Sequence, residues 1–178
     1  MGRKYAKKKS LKRPRRIVFY RDGPCRFKER INIINGLKRV EKTLDYGENI
    51  NLDIVEVIKK HHKRIYKTTT DSIKNPKFGL YIVIPSSKYY NGRALVISTD
   101  IPKKMKDKVD FTTEPIELRY ISYSSKTRGI KTIVEEYLAL TALNFWNPFR
   151  KTKLCLPLLL AHKIANLTRI GVSPKLGL

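Results

Sequence analysis

Apolar positions along the chain follow two different spacings, one of which predicts strands and the other helices. Runs of β-branched and aromatic residues predict strands at 17–21, 50–58, 78–84, 95–98 and 115–123. Apolar residues at three- and four-residue steps predict helices at 26–44, 133–144 and 158–169. A strand, a helix and a second strand in succession form the unit of a partly parallel sheet, so the pattern predicts an α/β fold.

The first predicted helix is expected to bury one face against this sheet. Its apolar residues recur at helical spacing, at Phe27, Ile31, Ile34, Leu37, Val40 and Leu44. Residues 67–77 are polar and predict a loop. Pro157 suits the first turn of the last helix, where a missing backbone N–H has no consequence.

The charge of the chain indicates a polyanionic partner. It carries 39 Lys and Arg against 15 Asp and Glu, a formal net charge of +24. Nucleic acid fits this charge better than an anionic membrane, because no amphipathic anchor is evident. Residues 1–16 hold nine of the basic residues and no acid, and they predict a basic tail that is either solvated or in contact with phosphates.

Cysteine usage and hydropathy indicate an intracellular chain. Cys25 and Cys155 stand alone without metal-ligand spacing, as expected of two inert thiols. No apolar run reaches the length of a membrane span, and the first residues lack the apolar region of a secretory signal. A cytoplasmic location is therefore expected.

The first predicted strand ends at Asp22-Gly23, a strong turn signal. On one interpretation Asp22 only caps the turn, as Asp commonly does. On the other, its carboxylate faces a crevice at the carboxyl end of the strand, where ligands of α/β sheets tend to bind.

The second predicted strand runs into a dense group of cations, Lys59-Lys60-His61-His62-Lys63-Arg64. Zinc binding is disfavoured, because adjacent histidines on a strand face opposite sides and no cysteine lies nearby in sequence. Phosphate binding is favoured, since Arg binds phosphate in a bidentate manner and Lys binds it as a point charge.

Read together, these motifs resemble the C-terminal part of the PIWI domain of Argonaute proteins, of the archaeal type. The resemblance covers residues 14–178. It rests on F-Y-R-D-G at 19–23, K-x-H-H-x-R at 59–64, T-R at 127–128 before an aromatic-rich helix, and the closing L-C-L-P and A-H-K-I-A at 154–157 and 161–165. It implies an RNase H-like mixed sheet flanked by helices, incomplete without upstream strands, with residues 17–178 as the C-terminal portion of the domain.

The resemblance also implies roles for individual residues. Contact with the guide nucleic acid is implied for Lys59, His61, His62, Arg64, Arg128 and Lys163. Asp22 matches a catalytic Asp of nucleases that use two Mg²⁺ or Mn²⁺ ions held by four acidic groups. The first Asp and the Glu of that set belong to strands upstream of this chain. The fourth position falls on Lys131, which cannot bind a metal while protonated, and Glu135 lies one helical turn further on.

The last residue, Leu178, is a further candidate. In archaeal members the terminal carboxylate joins a metal bound to the 5′-phosphate of the guide, and the resemblance implies the same for Leu178. The alternative is an ordinary frayed terminus.

The sequence thus predicts guide-dependent binding of nucleic acid as part of an Argonaute. The chain is expected to be either one half of a split PIWI module or an inactive variant. A second polypeptide carrying the MID segment and the first PIWI strands would cover the unpaired edge of the sheet. A basic RNA-binding structural protein and a metal-dependent guided endonuclease, active once complemented by the partner chain, remain as alternatives.

Overall fold

A computed structural model describes residues 14–44, 50–68, 70–71, 73–99, 114–143 and 153–169. Its strands are β1 (Arg16–Asp22), β2 (Asn51–Ile58), β3 (Lys67–Thr68), β4 (Ile73–Lys74), β5 (Tyr81–Ile84), β6 (Gly92–Val96) and β7 (Ile116–Ser122). Its helices are α1 (Phe27–Leu44), α2 (Ile130–Ala142) and α3 (Leu156–Arg169). None of the helices in these ranges is long and apolar enough to cross a bilayer.

Five strands form one mixed sheet in the order β1-β2-β7-β6-β5. Among the described strands only β1 and β2 pair in parallel, and the register places Asp22 beside Val57. The other neighbours are antiparallel, with Ile58 of β2 beside Glu117 of β7. The predicted α/β mixed sheet flanked by helices is therefore confirmed. The segment 67–77, predicted as a loop, contains the short β3–β4 hairpin.

The main core lies between one face of the sheet and the helices α2 and α3. Its fully buried strand residues alternate along β2, β6 and β7, as expected of a sheet with one covered face, and they include Val55, Val57, Val96, Leu118 and Tyr120. Ile133 and Tyr137 of α2 pack on them. A Cβ added to Gly92 on β6 would lie 2.6 Å from Cβ of Ile130, so only glycine lets α2 begin this close to the sheet.

Helix α1 covers the other face of the sheet, but not with the residues that periodicity indicated. Ile33, Ile34 and Leu37 pack against Leu52, Ile54 and Ile121. In contrast, Phe27, Ile31 and Val40 are exposed. The apolar positions of α1 span an arc wider than one helix face, at 100° per residue. The sheet covers only the part of that arc centred on Leu37, so the prediction of a buried Phe27, Ile31 and Val40 was wrong.

Strand β1 lies at one edge of the sheet. Within the described ranges it pairs with β2 alone, and Phe19 on this strand is 38% exposed. Helix α3 packs beside it, and Tyr20 and Arg21 also contact Tyr137 of α2 and Glu29 of α1. The packing of α3 brings His162, in the middle of this helix, to the end of β1, where the candidate site lies.

Candidate nucleic-acid interface at the ends of the first two strands

The carboxyl ends of β1 and β2 lie side by side because the two strands are parallel. Gly23 follows Asp22 with a φ of 85°, a left-handed conformation that favours glycine. Its backbone N–H donates to the carbonyl of Val57 at 2.9 Å. This turn stops β1 next to the end of β2 and holds the Asp22 carboxylate at the edge of the sheet.

Two basic side chains converge on the Asp22 carboxylate. Lys59 Nζ lies 2.7 Å from Asp22 Oδ2, and His162 Nε2 lies 2.8 Å from the same oxygen. Lys59 follows the end of β2, whereas His162 belongs to α3. All three side chains keep part of their surface exposed, at 24% for Asp22, 34% for Lys59 and 45% for His162. The carboxylate therefore joins three elements of the fold at an accessible edge.

These residues do not fit a pair of divalent ions. Mg²⁺ requires nearly octahedral oxygen ligands. Of the three side chains that meet here, Asp22, Lys59 and His162, only Asp22 carries a carboxylate. The ammonium of Lys59 has three donors and no lone pair. Within the part of the chain that the structure describes, no group of three or more His, Cys, Asp and Glu side chains could hold a metal ion.

The cations that follow Lys59 are engaged by acidic residues near the start of β7. Lys63 Nζ lies 3.0 Å from Glu117 Oε2, and Arg64 Nη2 lies 3.1 Å from Glu114 Oε1. Lys153 also reaches Glu114, at 3.1 Å. These ion pairs hold the basic segment against the sheet and leave much of its charge exposed.

The neighbouring histidines differ in their environment. His62 is exposed, but His61 is half-buried, and this burial lowers its pKa below the ordinary 6.5. The backbone N–H of Lys63 donates to His61 Nδ1 at 3.2 Å, so the ring proton of neutral His61 belongs on Nε2. Nε2 is buried and has no hydrogen-bond partner among the described residues. His61 is therefore a neutral donor near pH 7, whereas the charge of this segment comes from its lysines and Arg64.

Arg128 and Lys131 lie around the start of α2. The guanidinium of Arg128 makes a bidentate ion pair with Glu136, of which the Nη1–Oε2 distance is 2.8 Å. The backbone N–H of Arg128 donates to the hydroxyl of Tyr120 at 3.2 Å. Lys131 and Glu135 are exposed on α2. Arg128 is thus fixed by α2 and the sheet, and Lys131 presents its charge to solvent.

Lys163 and Leu178 were also predicted to be site residues. Lys163 follows His162 on α3 and is exposed. Leu178 lies outside the described residues, so its predicted metal contact has no structural account. His162 itself was part of the A-H-K-I-A motif but was not assigned a role. Only the fold brings it to Asp22, which lies 140 residues earlier in the chain.

Comparison with known proteins identifies the family. The Piwi domain model matches residues 3–172. The fold is similar to the crystal structure of Drosophila Piwi, with a TM-score of 0.66 and 18% identity, covering 93% of this chain and 22% of that one. Similarity to Clostridium butyricum Argonaute bound to a guide DNA and a 19-mer target DNA gives a TM-score of 0.62 at 21% identity, covering 96% and 20%.

A third similar structure is Aa-Ago with externally bound siRNA, with a TM-score of 0.60, 21% identity, and coverage of 95% of this chain and 20% of that one. No curated protein matches the chain. The chain spans about a fifth of the length of these three solved structures. Since the Piwi model matches nearly the whole sequence, the chain belongs to the Piwi domain family.

Proposed function

We propose that this chain binds a guide nucleic acid through the edge formed by Asp22, Lys59 and the basic segment up to Arg64. The observation that carries the proposal is the position of this segment at the carboxyl end of β2 in a Piwi fold. Lys59, His62 and Arg64 are accessible there in a chain of net charge +24. Lys163, next to His162 on α3, adds further positive charge for a phosphate backbone. Arg128 is a candidate contact by the family resemblance, and its guanidinium is paired with Glu136.

The chain acts in this proposal as the C-terminal part of an Argonaute. In one form, a second polypeptide supplies the MID segment and the upstream PIWI strands. The edge strand β1, with Phe19 partly exposed and pairing described on one side only, supports a completing strand. In the other form the protein is an inactive variant, which is supported by the ion pairing of Asp22 and by Lys131 at the fourth metal-ligand position.

Binding should weaken steeply with salt if the basic residues neutralise phosphates. Each contact to a single strand contributes about 0.7 to the slope of log affinity against log salt. Deleting residues 1–13 removes seven Lys and Arg and should lower the slope while leaving measurable binding. Fluorescence anisotropy with a 5′-phosphorylated oligonucleotide at several salt concentrations measures this. A slope near zero for the full chain would contradict the proposal.

Substitutions of Asp22 and Lys59 should change guide affinity in opposite directions in a buffer with EDTA. Lys59→Ala removes a charged donor and should weaken binding about tenfold. Asp22→Asn releases Lys59 and His162 from their shared partner and should strengthen binding about two- to fivefold, since the pair is partly exposed. Equilibrium titration of the labelled guide measures both effects.

The matched control for Lys59→Ala is Lys38→Ala, which removes an equal charge from the exposed side of α1 and should change affinity less than twofold. If Asp22→Asn weakens binding in Mg²⁺ and has no effect in EDTA, Asp22 acts through a metal ion instead. If Lys38→Ala and Lys59→Ala weaken guide affinity equally, binding depends on the net charge of the chain and not on a specific interface at Lys59.

A further inference from the structure

The face of the sheet that packs on α1 continues across β7 and β6 as a group of ionic side chains. In the strand register, Arg119 of β7 lies between Glu56 of β2 and Arg93 of β6. Glu117, two residues earlier on β7, accepts hydrogen bonds from Arg93 Nη2 at 2.6 Å, Arg119 Nε at 2.8 Å and Lys63 Nζ at 3.0 Å. We call Glu117 and its three partners the Glu117 cluster.

In the Glu117 cluster the carboxylate is buried, whereas the three cations are partly exposed. The carboxylate is 2% exposed, whereas 42% of Lys63, 22% of Arg93 and 26% of Arg119 remain accessible. One carboxylate faces three cations, so the cluster presents an excess positive charge at the surface. The low exposure of Glu117 means that an anion approaching from solvent meets the cations first.

Two consecutive tyrosines lie in the β5–β6 turn, which is joined to this cluster by Arg93, whose Nη1 donates to the carbonyl of Pro85 at 3.2 Å. Tyr90 points inward: its hydroxyl donates to Glu56 Oε2 at 3.3 Å, and its ring centroid lies 5.9 Å from Arg30 Cζ and 5.7 Å from Arg119 Cζ. Tyr89 points outward and is 66% exposed, with Lys88 Nζ 5.3 Å from its ring centroid. The turn therefore offers an open aromatic ring beside a cationic surface.

We propose that this surface, formed by Lys88, Tyr89 and the Glu117 cluster, binds a single-stranded segment of nucleic acid. An unpaired base stacks on the exposed ring of Tyr89, and the neighbouring phosphates bind Lys88, Arg93 and Arg119. Aromatic rings beside a basic groove recognise single strands because every base has a π-face, so binding tolerates different sequences. A duplex has its bases already stacked and offers only its backbone.

The aromatic turn of this surface lies away from the proposed guide-binding edge, and the two share one residue, Lys63, whose ammonium reaches Glu117. Asp22 ends β1, and the β5–β6 turn leads into β6, so the two lie three strand positions apart in the sheet. At about 4.8 Å per strand this is roughly 14 Å laterally. None of the motifs that carry the family resemblance, at 19–23, 59–64, 127–128, 154–157 and 161–165, includes Lys88, Tyr89, Arg93 or Arg119. The proposed base stacking on Tyr89 therefore does not depend on the guide-binding proposal.

The test uses the full chain carrying Lys59→Ala, which we call the background chain. Each further variant is compared with this chain, in which the guide-binding edge is already weakened. Binding of a fluorescent oligothymidine 12-mer and of a duplex of equal length is compared by anisotropy. Tyr89→Ala should weaken binding of the single strand about fivefold or more, whereas duplex binding should stay within twofold. Tyr89→Phe keeps the ring and should bind like the background chain.

Val83→Ala is the matched control, because Val83 is a similarly exposed apolar side chain on the same hairpin. It should leave binding of the single strand unchanged. Since Tyr89 is exposed, its substitution should also leave the thermal unfolding midpoint unchanged. Circular dichroism of each variant therefore separates loss of binding from loss of the fold.

Photo-cross-linking provides a second readout. An oligonucleotide carrying 5-iodouracil should cross-link to a peptide containing residues 88–90, and Tyr89→Ala should abolish that product. Cross-links confined to other peptides, or unchanged affinity of Tyr89→Ala for the single strand, would overturn the proposal. Equal competition by polyglutamate of the same charge, with no effect of Tyr89→Ala, would also overturn it and assign the surface to an acidic protein.

Discussion

The purified chain should produce no cleavage of a guided target in Mg²⁺ or Mn²⁺ above the level of its Asp22→Ala variant. Two divalent ions bring four positive charges into a site where Asp22 already pairs with Lys59 and His162. The family resemblance puts the fourth metal-ligand position on Lys131, which is exposed at the start of α2 and cannot bind a metal while protonated. Each metal ion contributes several kcal/mol of transition-state stabilisation, so its loss costs roughly a thousandfold in rate.

The same assay, repeated with a polypeptide that carries the upstream PIWI strands, separates the two forms of the proposed function. Product that appears only with this polypeptide, and disappears with Asp22→Ala, would establish a split nuclease. Guide-dependent binding without product in both arms would support the inactive variant. Asp22-dependent cleavage by the chain alone would contradict the conclusion that its described residues do not fit two metal ions.

Glu117→Gln should destabilise the fold by about 3 kcal/mol at pH 7. The substitution leaves Lys63, Arg93 and Arg119 crowded around a neutral amide, and removing one partner from a buried ionic group costs about 3–5 kcal/mol. We expect the lower end of this range of free energies because the three cations keep some contact with water. Urea unfolding monitored by circular dichroism measures the difference in free energy. Glu135→Gln, an exposed carboxylate on α2, is the control and should change stability by less than about 0.5 kcal/mol.

The effect of Glu117→Gln should shrink in acid. Burial raises the pKa of Glu117, but hydrogen bonds from Arg119, Arg93 and Lys63 outweigh it and bring the pKa from 4.5 to about 2. A carboxyl with a lowered pKa in the folded state stabilises the protein fully above pH 4.5, and this stabilisation is lost as the pH falls towards 2. If the unfolding free energies of the unsubstituted chain and of Glu117→Gln differ by the same amount from pH 7 to pH 2.5, this account is contradicted.

Element positions were predictable from sequence where one periodicity dominated. The helix predicted at 26–44 corresponds to Phe27–Leu44, and the strand predicted at 50–58 corresponds to Asn51–Ile58. The buried face of α1 was not predictable, because its apolar residues cover about half of the helix circumference and only the position of the sheet selects Ile33, Ile34 and Leu37. The β3–β4 hairpin was missed because two-residue strands are too short to show a period.

The candidate site was predictable in outline but not in its pairings. A strand end at Asp22 and a basic segment after β2 follow from local signals. The contact between Asp22 and His162 depends on the packing of α3 beside β1, which no local pattern encodes. Similarly, Glu114 and Glu117 neutralise part of the basic segment only because β7 runs antiparallel to β2. Net charge along the sequence therefore overstates the charge available at this edge.

The link between Asp22 and His162 also has a consequence for biosynthesis. The two residues are separated by 140 positions in a chain of 178. At about 5–20 residues per second, a ribosome needs roughly 7–28 s to make the intervening chain. During that time β1 can pair with β2 as soon as both have emerged, but the face of β1 that carries Val18 and Tyr20 waits for α3 to complete the core that it packs against. Late closure of this kind leaves that face open to chaperones on the nascent chain.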